Sequence, residues 1–139
     1  MITRILLSFF IVALLTSCSS SGKVADDTKS EKLIFGSGGG FTGMYISFEI
    51  RKDGHIFNIL HDNSKNEVKK LRKKQTREIF TQAGKLRLNQ PAFNHPGNMT
   101  WFIKYKFAGD STEFKWGDTN FSAPSEIKDF YTQLNSIVK

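Results

Sequence analysis

The sequence predicts an α+β fold, an antiparallel sheet of about four or five strands with two helices packed on one face. Three observations carry this reading. Apolar residues alternate with polar ones at Met44, Ile46, Phe48 and Ile50, and again at Met99, Trp101, Ile103, Tyr105 and Phe107, the period of strands with one buried face. Apolar residues recur at helical spacing at Ile79, Phe80, Ala83 and Leu86, and once more at Ile127, Phe130, Tyr131, Leu134, Ile137 and Val138. The turn formers Lys52-Asp53-Gly54 and Ala108-Gly109-Asp110 stand between strands.

In chain order, Leu33-Ile34-Phe35 reads as a short first strand. It ends at Gly36-Ser37-Gly38-Gly39-Gly40-Phe41-Thr42-Gly43, where five glycines in eight residues allow a backbone that other residues avoid. The strand from Met44 follows. Asp53-Gly54 suits positive φ, so the chain returns from His55 to His61 as a hairpin. Asp62 to Lys74 is polar, and its end, Glu67 to Lys74, is either a further strand or a charged linker. Residues around Gln75 to Leu88 form the first helix, weakened at Gly84 by about 1 kcal/mol relative to alanine. Asn89 to Asn98, with Pro91 and His95-Pro96-Gly97, is an irregular crossing loop. Two strands follow, the second through Thr112, Phe114 and Trp116. The last helix starts near Ser122-Ala123-Pro124, where proline fits the first turn and Glu126 suits the helix dipole.

A chain of 139 residues with 39% apolar side chains supports one domain with one modest core. Residues 1–17 are read as lying outside it. Met1 to Arg4 is a short basic lead, Ile5 to Leu15 is an apolar run interrupted only by Ser8, and small residues follow, the plan of a secretory signal peptide. The run is too short to cross a bilayer, which takes about 20 residues as a helix. Leu15-Thr16-Ser17-Cys18 resembles the lipobox of bacterial lipoproteins. The resemblance implies a lipoprotein signal peptide over 1–17 and a diacylated Cys18. The stretch of Ser, Gly, Lys, Asp and Thr that follows has almost nothing to bury and reads as a flexible lipid-anchored tether over 18–31, ahead of a single α+β domain over 32–139. Ser19 stands where an Asp would retain some lipoproteins at the inner membrane, so the sorting rule favours the outer one. Cys18 is the only cysteine, so the monomer forms no disulfide.

The formal charge is +7, and about +6 without residues 1–17, which carry Arg4 alone. Such a balance favours anionic surfaces; for an exported chain these are headgroups, polysaccharide or acidic protein rather than nucleic acid. Lys69, Lys70, Arg72, Lys73, Lys74 and Arg77 form the densest basic run, either a solvated face or a contact for such a surface.

Candidate chemistry is sparse. The glycine stretch is not a nucleotide cradle, because no Lys follows the glycines and Gly43 opens an alternating strand rather than a helix. It reads instead as a connection between the first two strands that fixes Phe41. His55, His61 and His95 lack metal-ligand spacing, so no metal and no cofactor are expected. Gly36-Ser37-Gly38 does not make the strand-to-helix elbow of a serine nucleophile, and no catalytic residues are assigned. Trp101 and Trp116 fall on inward faces and read as core rather than as sugar platforms.

Gly39-Gly40-Phe41-Thr42-Gly43 after a short strand, then an alternating strand, a helix, a hairpin with Trp116, and Pro124 opening a terminal helix, resembles the emfourin family. These are small inhibitors of thermolysin-like zinc metallopeptidases that carry Gly-Gly-Phe-Ala-Gly at the corresponding place; here Thr42 replaces the Ala and a lipoprotein signal is added. The chain is also similar to a group of small lipoproteins of Bacteroidetes-type bacteria with Gly-Gly-Gly-Phe-Thr-Gly and a later Pro-Gly-Asn, here Pro96-Gly97-Asn98. The resulting expectation is a non-enzymatic, lipid-anchored envelope module. Its partner would be an envelope protein or peptidase, and Gly38, Gly39, Gly40, Phe41, Thr42 and Gly43 would bind it. The alternative is an envelope-structural lipoprotein holding an anionic surface through its basic run; an enzyme is the third class.

Overall fold

The computed structural model describes residues 30–139, so the expected signal peptide, the lipobox with Cys18 and most of the tether lie outside the described residues. The described chain runs β1 (Lys32–Gly39), β2 (Met44–Arg51), β3 (His55–Ile59), β4 (Lys65–Lys70), α1 (Lys73–Asn89), β5 (Phe93–His95), β6 (Met99–Phe107), β7 (Asp110–Trp116) and α2 (Ser125–Val138). One seven-stranded sheet results, in the order β4-β3-β2-β1-β6-β7-β5.

The fold is α+β, with a larger sheet than expected. β1 does not stop at Phe35; it continues through Gly36 to Gly39, pairing antiparallel with β2 on one side and β6 on the other along its whole length. β4 settles the charged stretch after Asp62 as an edge strand, with a register shift between Ile56 and Phe57 of its partner. The expected crossing loop contains β5, which lies parallel to β7 and makes the sheet mixed.

Register decides which face is buried. Leu33 stands opposite Ile50 and Tyr105, Phe35 opposite Ile103, and Ile103 opposite Phe114. These share one face and form a single core with Ile79, Phe80, Ala83 and Leu86 of α1 and Ile127, Phe130, Tyr131 and Leu134 of α2. Both helices thus cover the same side, as their spacing predicts. Leu33, Phe35, Ile127, Phe130 and Leu134 are sealed from solvent, each contributing about 1.5–3 kcal/mol through burial. Pro124 immediately precedes α2, and Glu126 sits in its first turn, where an acid complements the dipole.

The other face carries charge. Glu49 is only 1% exposed there, held by Arg51 Nε at 2.8 Å from Oε1 and Lys65 Nζ at 2.8 Å from Oε2. Burial pushes its pKa up, but the hydrogen bonds from Lys65 and Arg51 and the charges of Lys65 and Lys32 outweigh that and hold the carboxyl below its ordinary value.

Candidate functional site

The link between β1 and β2 is one 3-10 turn, Gly40–Thr42, flanked by glycines. Gly39, Gly40 and Gly43 have φ of 109°, 66° and 62°, which side chains rarely tolerate. Gly40 N–H donates to the Asn98 carbonyl at 2.6 Å, tying the turn to the approach to β6, and Gly43 N–H donates to the Gly40 carbonyl at 3.3 Å. Met44 N–H reaches Thr42 Oγ1 at 3.4 Å. The ring of Phe41 is fully exposed at the tip of this brace. The six consecutive residues Phe41 to Ile46 are all exposed.

Strand pairing explains why apolar residues stand in water here. Gly39 is opposite Met44 and Met99, and Ser37 is opposite Ile46 and Trp101. These positions share the helix-side face, with large side chains on β2 and β6 flanking a floor of Ser37 and Gly39. Ile46 is 62% exposed and Met44 54% exposed, so this end of the sheet is left uncovered. On the opposite face Gly38 makes room for Tyr45: a Cβ on Gly38 would fall 2.4 Å from Tyr45 Cγ and 2.4 Å from the Met44 carbonyl oxygen. Tyr45 lies near Phe102, ring centroids 6.4 Å apart. β3 pairs with β2 only from Ser47 to Ile50, so Met44 to Ile46 carry no strand on their outer side among the described residues.

The structure brings Gly38, Gly39, Gly40, Phe41, Thr42 and Gly43 together at one end of the sheet, with Gly38 and Gly39 inside β1 rather than in a loop. It adds Met44, Tyr45, Ile46 and Met99, which alternation alone assigns to ordinary strand positions. The tip holds no titratable group except the Tyr45 phenol. What it can do chemically is bury apolar surface and hydrogen-bond through an open strand edge.

The basic run does not join it. Lys69 and Lys70 lie on the edge strand β4, Arg72 precedes α1, Lys73 and Lys74 occupy the first turn and Arg77 the next, all exposed. Lys70 pairs with His55, which follows the turn from Arg51, and Arg51 pairs with Lys32. The run therefore gathers at the end where the chain enters the sheet, opposite the tip.

The histidines stay apart: His55 Nδ1 is 2.8 Å from Glu67 Oε1, and His95 stacks on Phe121 with centroids 3.9 Å apart. No group of three potential metal ligands occurs among the described residues, and no helix among them is long and apolar enough to cross a membrane. Tyr105 donates to Glu31, and burial followed by that hydrogen bond pushes its phenol far above the ordinary value. No protein-family model matches the chain, and no curated protein matches it.

Proposed function

We propose that the protein is a lipid-anchored component of the bacterial cell envelope, acylated at Cys18 and held at the outer membrane. In this reading it acts as a non-catalytic binding module whose tip engages an envelope protein. The observation that carries the reading is Phe41, fully exposed on a turn braced by three positive-φ glycines. Exposing an aromatic ring on a rigid turn costs solvation and prepays the ordering of a contact, as in the anchors of protein interfaces. The likeness of Gly39 to Gly43 to the emfourin stretch makes a thermolysin-like metallopeptidase the first partner to test.

The test compares the full chain with Phe41→Ala for capture of envelope proteins and for inhibition of thermolysin-like peptidases. Phe41→Ala is expected to weaken binding by tenfold or more while leaving folding stability within about 0.5 kcal/mol. Recovery of no envelope protein by the wild-type chain, together with no inhibition, overturns the reading.

A second reading, contact with an anionic surface through Lys69, Lys70, Arg72, Lys73, Lys74 and Arg77, is favoured by one observation. Lys73 and Lys74 occupy the first turn of α1, and no acid accompanies them there. Cations at that end oppose the helix dipole by about 0.3–1 kcal/mol each, so folding alone gives no reason for them.

A further inference from the structure

We infer that the chain carries a second binding site, an aromatic cleft that takes the pyranose ring of an acidic glycan. β6 and β7 place Trp101 directly opposite Trp116 on the helix-side face. α2 adds Lys128, Tyr131 and Thr132, spaced three and four residues apart on one flank of the helix. Together they line a shallow, open cleft of about 430 Å³. Trp116 is buried and meets Tyr131 edge-on, centroids 5.3 Å apart at 87°, which fixes both rings. Trp101 is half-buried and offers the accessible indole.

The polar groups at this cleft are uncommitted. Neither indole N–H, nor the Tyr131 hydroxyl, hydrogen-bonds a described residue, yet the only sealed side-chain polar atom lacking a partner among the described residues is Arg87 Nε. Those three groups therefore keep contact with solvent. Lys128 is exposed and forms no ion pair among the described residues. The Thr132 hydroxyl is already used, donating to the Lys128 carbonyl at 2.9 Å.

This set selects a ligand class. A flat indole accepts the apolar face of a sugar ring, and the N–H and hydroxyl groups meet its hydroxyls. Lys128 supplies a cation and no lining residue is acidic, so a carboxylate on the sugar is paired whereas a cationic ligand is repelled. An alkyl chain would leave the polar groups unmatched. The net charge of +7 adds a long-range attraction for a polyanion.

Both tryptophans of the chain line the cleft, so tryptophan emission, excited selectively over tyrosine, reports on this site. The purified full chain is titrated with tetragalacturonate, with cellotetraose as the neutral control and benzoate as the aromatic acid. Expected is a saturable emission change with tetragalacturonate, none with cellotetraose or benzoate over the same range, and at least tenfold weaker binding for Lys128→Met. Lys128 is exposed, so that variant keeps its melting temperature. Tyr131→Phe, which removes only the hydroxyl, weakens binding several-fold. No saturable change with tetragalacturonate, an equal response to cellotetraose or benzoate, or unchanged affinity in Lys128→Met overturns the assignment.

Discussion

Glu49 shows how far a single residue departs from its pattern. Alternation puts it on the outward face of β2, where a carboxylate belongs in water; the structure keeps it on that face but seals it between Arg51 and Lys65. Only the register of β3 and β4 reveals the partner sixteen residues away, so the pair is invisible to a local reading. Its lowered pKa makes a contribution to stability that is present above the ordinary value near 4.5 and is lost as pH falls through the depressed folded value. Glu49→Gln is therefore expected to cost about 2 kcal/mol at about pH 6. The gap from wild type in urea midpoint should shrink as pH falls towards about 3. Gly38 is the residue-scale constraint on the tip. Gly38→Ala sets a methyl against Tyr45 and the Met44 carbonyl, and thermal unfolding should show a loss of about 1–3 kcal/mol.

Among the elements, the strongly periodic ones were legible and the ones made by their neighbours were not. Ile79, Phe80, Ala83 and Leu86 marked the buried stripe of α1, and the alternating strands appear as read. The glycines hid the second half of β1, because glycine is depleted from strands unless adjacent side chains fill the space it leaves; Tyr45 does so beside Gly38. β4 has one apolar residue, Val68, since an edge strand rich in lysine needs no buried stripe and resists pairing with other chains. β5 spans three residues between prolines and is held by its neighbours: Phe93 packs on Phe114 and Phe121, and His95 stacks on Phe121. The start of α1 yields a prediction at this scale. Lys73→Glu and Lys74→Glu should each stabilise the fold by about 0.3–1 kcal/mol while weakening co-sedimentation with anionic vesicles. A fall in melting temperature would instead show that these lysines serve the fold.

For the whole molecule the arrangement is polar end to end. β1 is eight residues long, roughly 25 Å at about 3.3 Å per residue. The chain enters the sheet at Lys32 beside the basic run, and the apolar tip lies at the far end. If the run meets anionic lipid, a fluorophore at Lys74→Cys should be quenched by a bilayer-borne quencher while one at Thr42→Cys is not. Equal quenching of the two would reject that orientation. The glycine-flanked Phe41 was visible in the sequence as a fixed residue between two strands. Its companions Met44, Ile46 and Met99 were not, because their exposure depends on where α1 and α2 stop covering the sheet. Trp101 and Trp116 were likewise legible as inward-facing, while their pairing with Tyr131 and Lys128 needed the docking of α2.

The central place of β1 has a mechanical consequence. The N-terminal segment joins one end of this strand and the tip turn closes the other, so a pull between an anchored N-terminus and a partner held at Phe41 runs lengthwise along it. Strand β1 is already extended, so its covalent backbone would carry that load directly, while eight registered pairs on each flank, to β2 and to β6, hold it straight in the sheet. Neither ladder would need to slide or peel for force to pass from one end of the strand to the other, so such a tug would leave the rest of the fold unloaded.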